Sequence, residues 1–452
     1  MFANIVAKAP ARVALGLLIA VLSAALALSG WFAGDISADT ASYRVPLVWP
    51  DAFAGMRHPL YGIVLSVFGD RLWALALAQT TFHFCAVIVL FREMRRFGLG
   101  GAAAFSIAAA ALVSQSFLFH GRLALPEVPA CSAMLIAFAA ALRWTSRPSY
   151  GALIACMVFT GLAYAFRPVF LAAMIVVPLM SLLLARLFGY ATGWRLPLLA
   201  AALALPFLAQ SSIRYAALGD FNIVSFGGFQ MSGTAGLMIE PQHIERYPDH
   251  LRPTAAAVLK ARTAAEKAGA VLRTPQNSSG NRSFISAAVG YFDLYARTVD
   301  NLVWGPITSL RGDGESWVAF NKRLQAFALA TVLIVPDRWA AWVTGATSRF
   351  VGRAIVTNAP FVLLSALVIL WSVWLALSGA RPHDGPHGRD WAAVLIIVSG
   401  WIVCAIGIVL LTTLPATRYI DTASMLLPAL PLLALITLMR QTKPPALARP
   451  SD

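Results

Sequence analysis

Long apolar runs, separated by short polar segments, recur along almost the whole of this chain. A helix needs about 20 apolar residues to cross the hydrocarbon core of a membrane. The pattern predicts an all-α polytopic membrane protein with a bundle of about ten transmembrane helices. The predicted spans lie at 13–32, 72–91, 101–119, 128–144, 152–166, 169–187, 196–213, 359–377, 391–411 and 425–438.

One long stretch, 214–357, is much more polar and predicts a large extracytoplasmic loop region. Its glycine-rich segment, 226–236, is interpreted either as a flexible substrate loop or as a plain linker. Its apolar run, 324–335, ends at Pro336 and is interpreted as an interfacial helix, although a span stays open as the alternative. The chain thus divides into an N-terminal transmembrane module, the loop region, and C-terminal transmembrane helices with a cytoplasmic tail, at 1–213, 214–357 and 358–452.

Composition supports the membrane assignment and narrows the partners. Hydrophobic residues make up 59% of the 452 residues and charged residues 12%, whereas about a quarter of a soluble domain is charged. The net charge of +15 comes mostly from Lys and Arg at the ends of apolar runs, which is typical of contacts with anionic lipid headgroups. Membrane lipids are therefore predicted partners, and nucleic acid is not. The four cysteines show no metal-binding spacing, so no metal site is predicted.

The distribution of Lys and Arg over short loops and tails predicts the orientation. With the N-terminus inside, fourteen of these residues lie on the cytoplasmic side and six outside. The positive-inside rule therefore favours a cytoplasmic N-terminus and C-terminus, and we expect a bacterial inner membrane. The six outer residues oppose this rule, which indicates that something other than topology keeps them there: Arg44, Arg57, Arg71, Arg122, Arg167 and Arg418.

Two acids, Asp35 and Asp39, follow the first apolar run in the first outer loop, 33–71. A carboxylate at a membrane surface can act as the general base for an incoming hydroxyl, because partial desolvation makes it more basic. Asp35 directly follows Gly34 and is interpreted as ending the first helix. Asp39 is favoured as the functional acid.

Arginines of the outer loops predict an anion site. A guanidinium group binds phosphate through two parallel hydrogen bonds. The alternative for each arginine is that it snorkels to lipid headgroups from a helix end. The candidate phosphate ligands are Arg57, Arg122, Arg167 and Arg418.

Two further polar side chains have two interpretations each, and a third has one. His58 is either a phosphate ligand or a structural residue of the interface. Glu127 opens the fourth span, where it either stabilises the helix dipole or takes part in catalysis. His83 lies inside an apolar span and is interpreted as a hydrogen-bonded residue between helices.

Five segments of the outer loops and helix ends carry polar residues in a distinctive order: Asp39-Thr-Ala-Ser-Tyr43, Arg57-His-Pro-Leu-Tyr61, Arg122-Leu-Ala-Leu-Pro-Glu127, Gly161-Leu-Ala-Tyr-Ala-Phe-Arg-Pro168 and Arg418-Tyr419. Together they resemble the GT-C membrane glycosyltransferases, in particular the protein O-mannosyltransferase and aminoarabinose transferase (glycosyltransferase 39-like) enzymes. The resemblance implies a GT-C-like helix bundle in which the acid after the first helix is the catalytic carboxylate. Asp39 matches that position best and Asp35 second, while Glu127, Tyr43 and Tyr419 are implied to face the site.

The same resemblance implies a polyprenyl-phosphate-linked sugar donor and an inverting transfer to a glycan, lipid or protein acceptor on the extracytoplasmic face. No cofactor is required, and a divalent metal is compatible with the chemistry. One alternative is a flippase or transporter of lipid-linked oligosaccharides, which is disfavoured because the predicted spans carry few ionisable residues at their centres. An O-antigen-type polymerase or ligase is a second alternative. The sequence specifies neither the sugar nor the acceptor.

Overall fold

The computed structural model describes residues 11–37, 39–44, 47–267, 305–378, 388–412 and 417–441. Within these ranges the chain is helical, and the one β-type pairing is an isolated bridge between Asp35 and Leu123. The predicted all-α class is therefore confirmed for the described part of the chain. The end of the predicted cytoplasmic tail, 442–452, lies outside the described residues.

The helices up to residue 218 follow the apolar runs closely. Local signals explain their ends: the helix Pro59–Phe68 starts with proline after the capping residue His58, and the helix Leu72–Phe97 is followed by Gly98, whose φ of 111° favours glycine. Short 3₁₀ turns occupy Trp31–Ala33, Thr40–Tyr43, Asp51–Phe53 and Pro168–Ala172. The helices are α1 (Ala11–Leu28), α2 (Pro59–Phe68), α3 (Leu72–Phe97), α4 (Gly101–Leu112), α5 (Gln115–His120), α6 (Glu127–Ser146), α7 (Tyr150–Phe166), α8 (Ala173–Phe188) and α9 (Arg195–Leu218).

The remaining helices include a broken pair in the polar region. They are α10 (Gly227–Met238), α11 (Arg252–Lys267), α12 (Gly305–Thr308), α13 (Trp317–Ile334), α14 (Pro336–Val356), α15 (Ala359–Ser378), α16 (Gly388–Thr412), α17 (Thr417–Ala423) and α18 (Ala429–Gln441). The helix predicted at 324–335 begins earlier, at Trp317, and the chain bends by 100° between α13 and α14. The bend falls at Pro336, which cannot continue the hydrogen-bond ladder of α13.

Within the described part of the chain, seven helical segments are long and apolar enough to cross a membrane, or eight if the bent pair is one span. These seven coincide with seven of the ten predicted spans, so the chain is a polytopic helical membrane protein. The other three predicted spans are also helical, but their apolar parts are shorter, at Tyr150–Phe166, Ala359–Trp374 and Ala429–Met439. The count of ten spans is therefore not reached on length and composition alone.

The bundle has two chemically different ends. Helix α6 is 20 residues long, about 30 Å, and α7 packs back along it as an antiparallel partner. Glu127 at the start of α6 and Arg167 after α7 consequently meet at one end, which we call the site end. At the other end, the Gly100 amide donates to Asp390 (3.0 Å) and Arg195 donates to the Thr145 carbonyl (2.9 Å).

Close packing of α3, α4 and α6 forms the core beside the site. Most side chains of α4 and α6 are buried, and many are alanine, which lets helix backbones approach closely. His83 of α3 bridges this core: its Nδ1 contacts the Ser132 hydroxyl (3.0 Å) and its Nε2 the Ala111 carbonyl (3.1 Å). The prediction that His83 is a hydrogen-bonded residue between helices is confirmed.

The glycine-rich segment at 226–236 is not a loop. It forms most of α10, which is largely buried against α13. A Cβ atom on Gly228 would lie 2.0 Å from the Asn321 carbonyl oxygen, so glycine is required for this approach. The interpretation as a flexible loop or linker was wrong because glycines that favour turns in isolation also permit close helix packing.

Candidate functional site

A short extended contact fixes the first outer loop against the connection between α5 and α6. The Asp35 amide donates to the Arg122 carbonyl (3.0 Å), and the Ala124 amide donates to the Asp35 carbonyl (2.9 Å). The Thr40 hydroxyl also donates to the Ala124 carbonyl (3.0 Å). The interpretation of Asp35 as the end of the first helix is wrong, since α1 already ends at Leu28.

A chain of ion pairs joins segments that lie far apart in the sequence. Arg418, in α17, donates to the Asp39 carboxylate, and its Nε lies 3.8 Å from Oε1 of Glu127. The same oxygen of Glu127 lies 3.2 Å from Nη1 of Arg167. Glu127 is only 1% exposed, whereas 40% of the Asp39 side chain is exposed. The predicted base thus lies at the exposed end of the network.

Two tyrosines enclose Arg167. Its Nη1 donates to the Tyr43 hydroxyl (3.3 Å), and its guanidinium carbon lies 4.8 Å from the centre of the Tyr419 ring. Burial raises the pKa of Tyr43. For Tyr419, burial also acts to raise the pKa, but the positive charges of Arg167 and Arg418 outweigh it, so the pKa is lowered. Positive charge therefore dominates the surroundings of Tyr419.

A cavity of about 250 Å³ opens beside these tyrosines. Most of its lining is apolar, and it is contributed by the end of α7, by α9, by the start of α10 and by α16. Asp39, Glu127 and Arg418 are not among the lining residues, but Arg167 both lines the cavity and contacts Glu127 of the ion-pair network. The lining includes Tyr43, Arg57, His58, Phe166, Arg167, Phe207, Phe226, Ile408, Val409 and Tyr419.

Arg57 is the cation that lines this cavity without a carboxylate partner. Its guanidinium carbon lies 4.9 Å from the ring centres of both Tyr43 and Phe226, and its Nε donates to the Ser42 hydroxyl (3.2 Å). Of the four arginines predicted to bind phosphate, Arg57 alone has no ion pair within the described ranges. Stacking on two rings holds the group in place and leaves its terminal nitrogens for an anion.

The structure separates Arg122 from this group. Arg122 lies 3.7 Å from Asp35, and both side chains are about half exposed. An exposed pair of this kind contributes little to stability or binding. The predicted residues therefore fall into two sets. Asp35 and Arg122 form a surface pair, whereas the connected network and cavity contain Asp39, Tyr43, Arg57, His58, Glu127, Arg167, Arg418 and Tyr419.

His58 lines the cavity as a neutral residue. Burial, together with the positive charge of Arg214, lowers the pKa of His58 to about 4. Its Nδ1 accepts from the Leu60 amide (3.2 Å), which places the ring proton on Nε2. His58 can therefore offer one hydrogen bond to an anion at pH 7, but no positive charge.

The lowered pKa predicts acid sensitivity with a defined sign. Between pH 6.5 and about 4, the imidazole of the unfolded chain takes up a proton that folded His58 does not, so the free energy of unfolding falls as the pH falls. We expect a loss of about 2 kcal/mol between pH 7 and pH 5. His58→Asn keeps a capping acceptor and should remove this part of the loss in unfolding measurements in detergent. An equal loss in both proteins would exclude His58 as its source.

Sequence reasoning assigned no role to two polar clusters around the site. Arg214 of α9 donates to Asp220, Ser225 and the Phe53 carbonyl, and it is buried. The only sequence signal for this cluster is the short spacing between Arg214, near the end of α9, and Asp220. The second cluster is His120 of α5, whose Nε2 lies 3.3 Å from Asp421 of α17.

The described residues contain no group of three or more His, Cys, Asp or Glu side chains that could hold a metal ion. The side chains of the cavity lining that can neutralise a bound phosphate are the guanidinium groups of Arg57 and Arg167. In comparisons with known proteins, the chain matches no protein-family model, no curated protein and no solved structure.

Proposed function

We propose that this chain is a membrane glycosyltransferase of the GT-C type. It moves a sugar from a polyprenyl-phosphate donor to a hydroxyl of a glycan, lipid or protein. The observation that carries the proposal is the placement of Arg57, without a carboxylate partner, in an apolar cavity next to the Asp39–Arg418–Glu127–Arg167 network. The cavity and the network together contain three arginines and two carboxylates, so a bound anion balances the remaining positive charge.

The cavity suits the phosphate end of a lipid-linked sugar. Apolar side chains such as Phe166 and Val409 favour a lipid, while Arg57 and Arg167 supply directed donors for the phosphate. Its volume is at the small end for ligand sites and so fits a head group rather than a whole polyprenyl chain. Tyr43 and Tyr419 border the position where the sugar then lies.

Asp39 is proposed as the general base. The acceptor hydroxyl attacks the anomeric carbon, its proton passes to Asp39, and the bond from that carbon to the phosphate oxygen breaks with its electron pair on the phosphate. Negative charge thus leaves Asp39 and increases on the polyprenyl phosphate. Arg57 and Arg167, which line the cavity, stabilise the negative charge that develops on the phosphate.

The arrangement of charges in the helices favours a transferase over a transporter. In the seven segments long enough to span, charged residues lie within about two turns of an end. A transport path needs ionisable groups near the midplane. We further propose that the site end is extracytoplasmic in a bacterial inner membrane, as the Lys and Arg distribution predicts. Access of a membrane-impermeant probe to the first outer loop tests this orientation.

Replacement of Arg57 tests the anion site. Arg57→Gln should weaken binding of polyprenyl phosphate, the expected product, by about 10–150-fold, because it removes hydrogen bonds to a charged group. Arg122→Gln is the matched control, since Arg122 is an exposed arginine at the same end, and it should change affinity less than about fivefold. Equal binding of polyprenol and polyprenyl phosphate to the unmodified protein would contradict an anion site.

A further inference from the structure

The ion-pair network forms a line of alternating charge between the proposed base and the cavity. Asp39 contacts Arg418, Arg418 contacts Glu127, and Glu127 contacts Arg167. Arg167 then lines the cavity. The next position along this line is the proposed site of the donor phosphate, which is negative and so continues the alternation.

Glu127 occupies the centre of this line in an unusual state. It is almost fully buried, yet neither carboxylate oxygen accepts a hydrogen bond from another residue in the described ranges. One oxygen, Oε1, faces both guanidinium groups, at 3.2 Å from Arg167 and 3.8 Å from Arg418. Electrostatic attraction, rather than hydrogen-bond geometry, holds the Glu127 carboxylate in place. This attraction is shared between Arg167 and Arg418, so a change at one arginine alters the attraction to the other.

We propose that Glu127 is a positioning residue that couples donor binding to release of the base Asp39, an inference that rests on the proposed function. In the structure Arg418 donates to the Asp39 carboxylate, so one of the two oxygens that could accept a proton from the acceptor is already engaged. When the donor phosphate binds Arg167, the phosphate competes with Glu127 for this guanidinium group, so the attraction between Arg167 and Glu127 weakens. Glu127 then attracts Arg418 more strongly, and the contact of Arg418 with Asp39 weakens.

Coupling of this kind is reciprocal. If donor binding weakens the contact between Arg418 and Asp39 by some factor, then loss of that contact strengthens donor binding by the same factor. Asp39 is consequently free to take the acceptor proton only when a donor is in place. The order of events is donor first and acceptor deprotonation second.

The variant Glu127→Gln separates this positioning role from two others: structural support of the arginines and direct action on the substrate. The glutamine removes the charge that competes for Arg167, so polyprenyl phosphate should bind about 5–150-fold more tightly. It also leaves Arg418 on Asp39, so kcat should fall by a similar factor while the KM for the donor does not rise. Glu93→Gln is the matched control, because Glu93 is a buried carboxylate paired with Arg96 at the other end, and it should change neither value.

Two outcomes for Glu127→Gln overturn the inference. Weaker binding together with lower kcat would make Glu127 an ordinary structural support of the arginines. Unchanged binding with loss of kcat would make it a group that acts directly on the substrate. Failure of the unmodified protein to bind polyprenyl phosphate overturns the proposed function itself, and the inference with it.

A measurement on the unmodified protein tests the coupling without a variant. Asp39 is partly exposed, so a water-soluble carbodiimide can label it, and mass spectrometry can quantify the label. Polyprenyl phosphate should increase the labelling of Asp39 several-fold, whereas uncharged polyprenol should not. Asp35, which is also exposed, serves as the internal control and should not change. Bound polyprenyl phosphate with unchanged Asp39 labelling overturns the coupling and leaves the anion site standing.

Discussion

Asp39→Asn should lower the rate of sugar transfer by about 10²–10⁴-fold, the usual contribution of a general base. Asparagine keeps the shape of the side chain and can still accept from Arg418, so the protein should reach normal membrane levels. The loss should appear in kcat, and donor affinity should not fall, because the cavity is lined by other residues. The measurement is the movement of labelled sugar from the lipid-linked pool into lipid, glycan and protein fractions of membranes that contain only the variant.

Asp35→Asn is the matched control for this result. Asp35 lies in the same loop, is similarly exposed and pairs with an arginine, but that arginine is Arg122 rather than Arg418. We expect transfer within about threefold of the unmodified rate, since exposed pairs contribute little. Transfer that survives in Asp39→Asn and disappears in Asp35→Asn would assign the base to Asp35, the second candidate from the sequence.

Arg214→Met should destabilise the protein by about 3–5 kcal/mol, because it leaves a buried charge without its partner. Asp220 is as deeply buried as Arg214, and it also accepts from Ser225 (2.8 Å) and Asn222 (2.9 Å). Loss of the pair should also loosen residues 222–227, several of which line the cavity. Thermal unfolding in detergent should show the loss as a lower midpoint at unchanged protein concentration.

The variant Lys322→Gln tests whether burial of the ion pair, rather than its charge alone, causes this loss of stability. Lys322 lies 3.6 Å from the same Asp220 carboxylate, but its side chain is 49% exposed. Removal of an exposed partner should cost less than about 1 kcal/mol. If both variants were equally destabilised, burial of the Arg214–Asp220 pair would not be what stabilises this connection.

The membrane-spanning helices were predictable because hydrophobic length determines them. Seven predicted spans coincide with long apolar helices, and even the bend at Pro336 has a local signal. The helix at 227–238 was not predictable, since its stability comes from packing on α13 rather than from its own glycine-rich composition. Local propensity and tertiary packing disagree in that segment, and packing decides.

The composition of the site was more predictable than its connections. Residues such as Asp39, Glu127 and Arg418 stand out because charged residues are rare in this chain. Which arginine pairs with which acid depends on how α17 docks against α5 and α6, and no spacing encodes it. Phe226, which stacks on Arg57, gave no signal, because it belongs to a segment distant from the first outer loop.

The great sequence separation of Asp39 and Arg418, 379 positions, has a consequence for biosynthesis. At ordinary translation speeds of about 5–20 residues per second, roughly 20–80 s pass between the synthesis of these two residues. Glu127 gains its nearer partner, Arg167, after only a few seconds, so a buried charge is neutralised early in insertion. The contact between Asp39 and Arg418 therefore forms late, after the C-terminal helices have been synthesised, and it completes the ion-pair network.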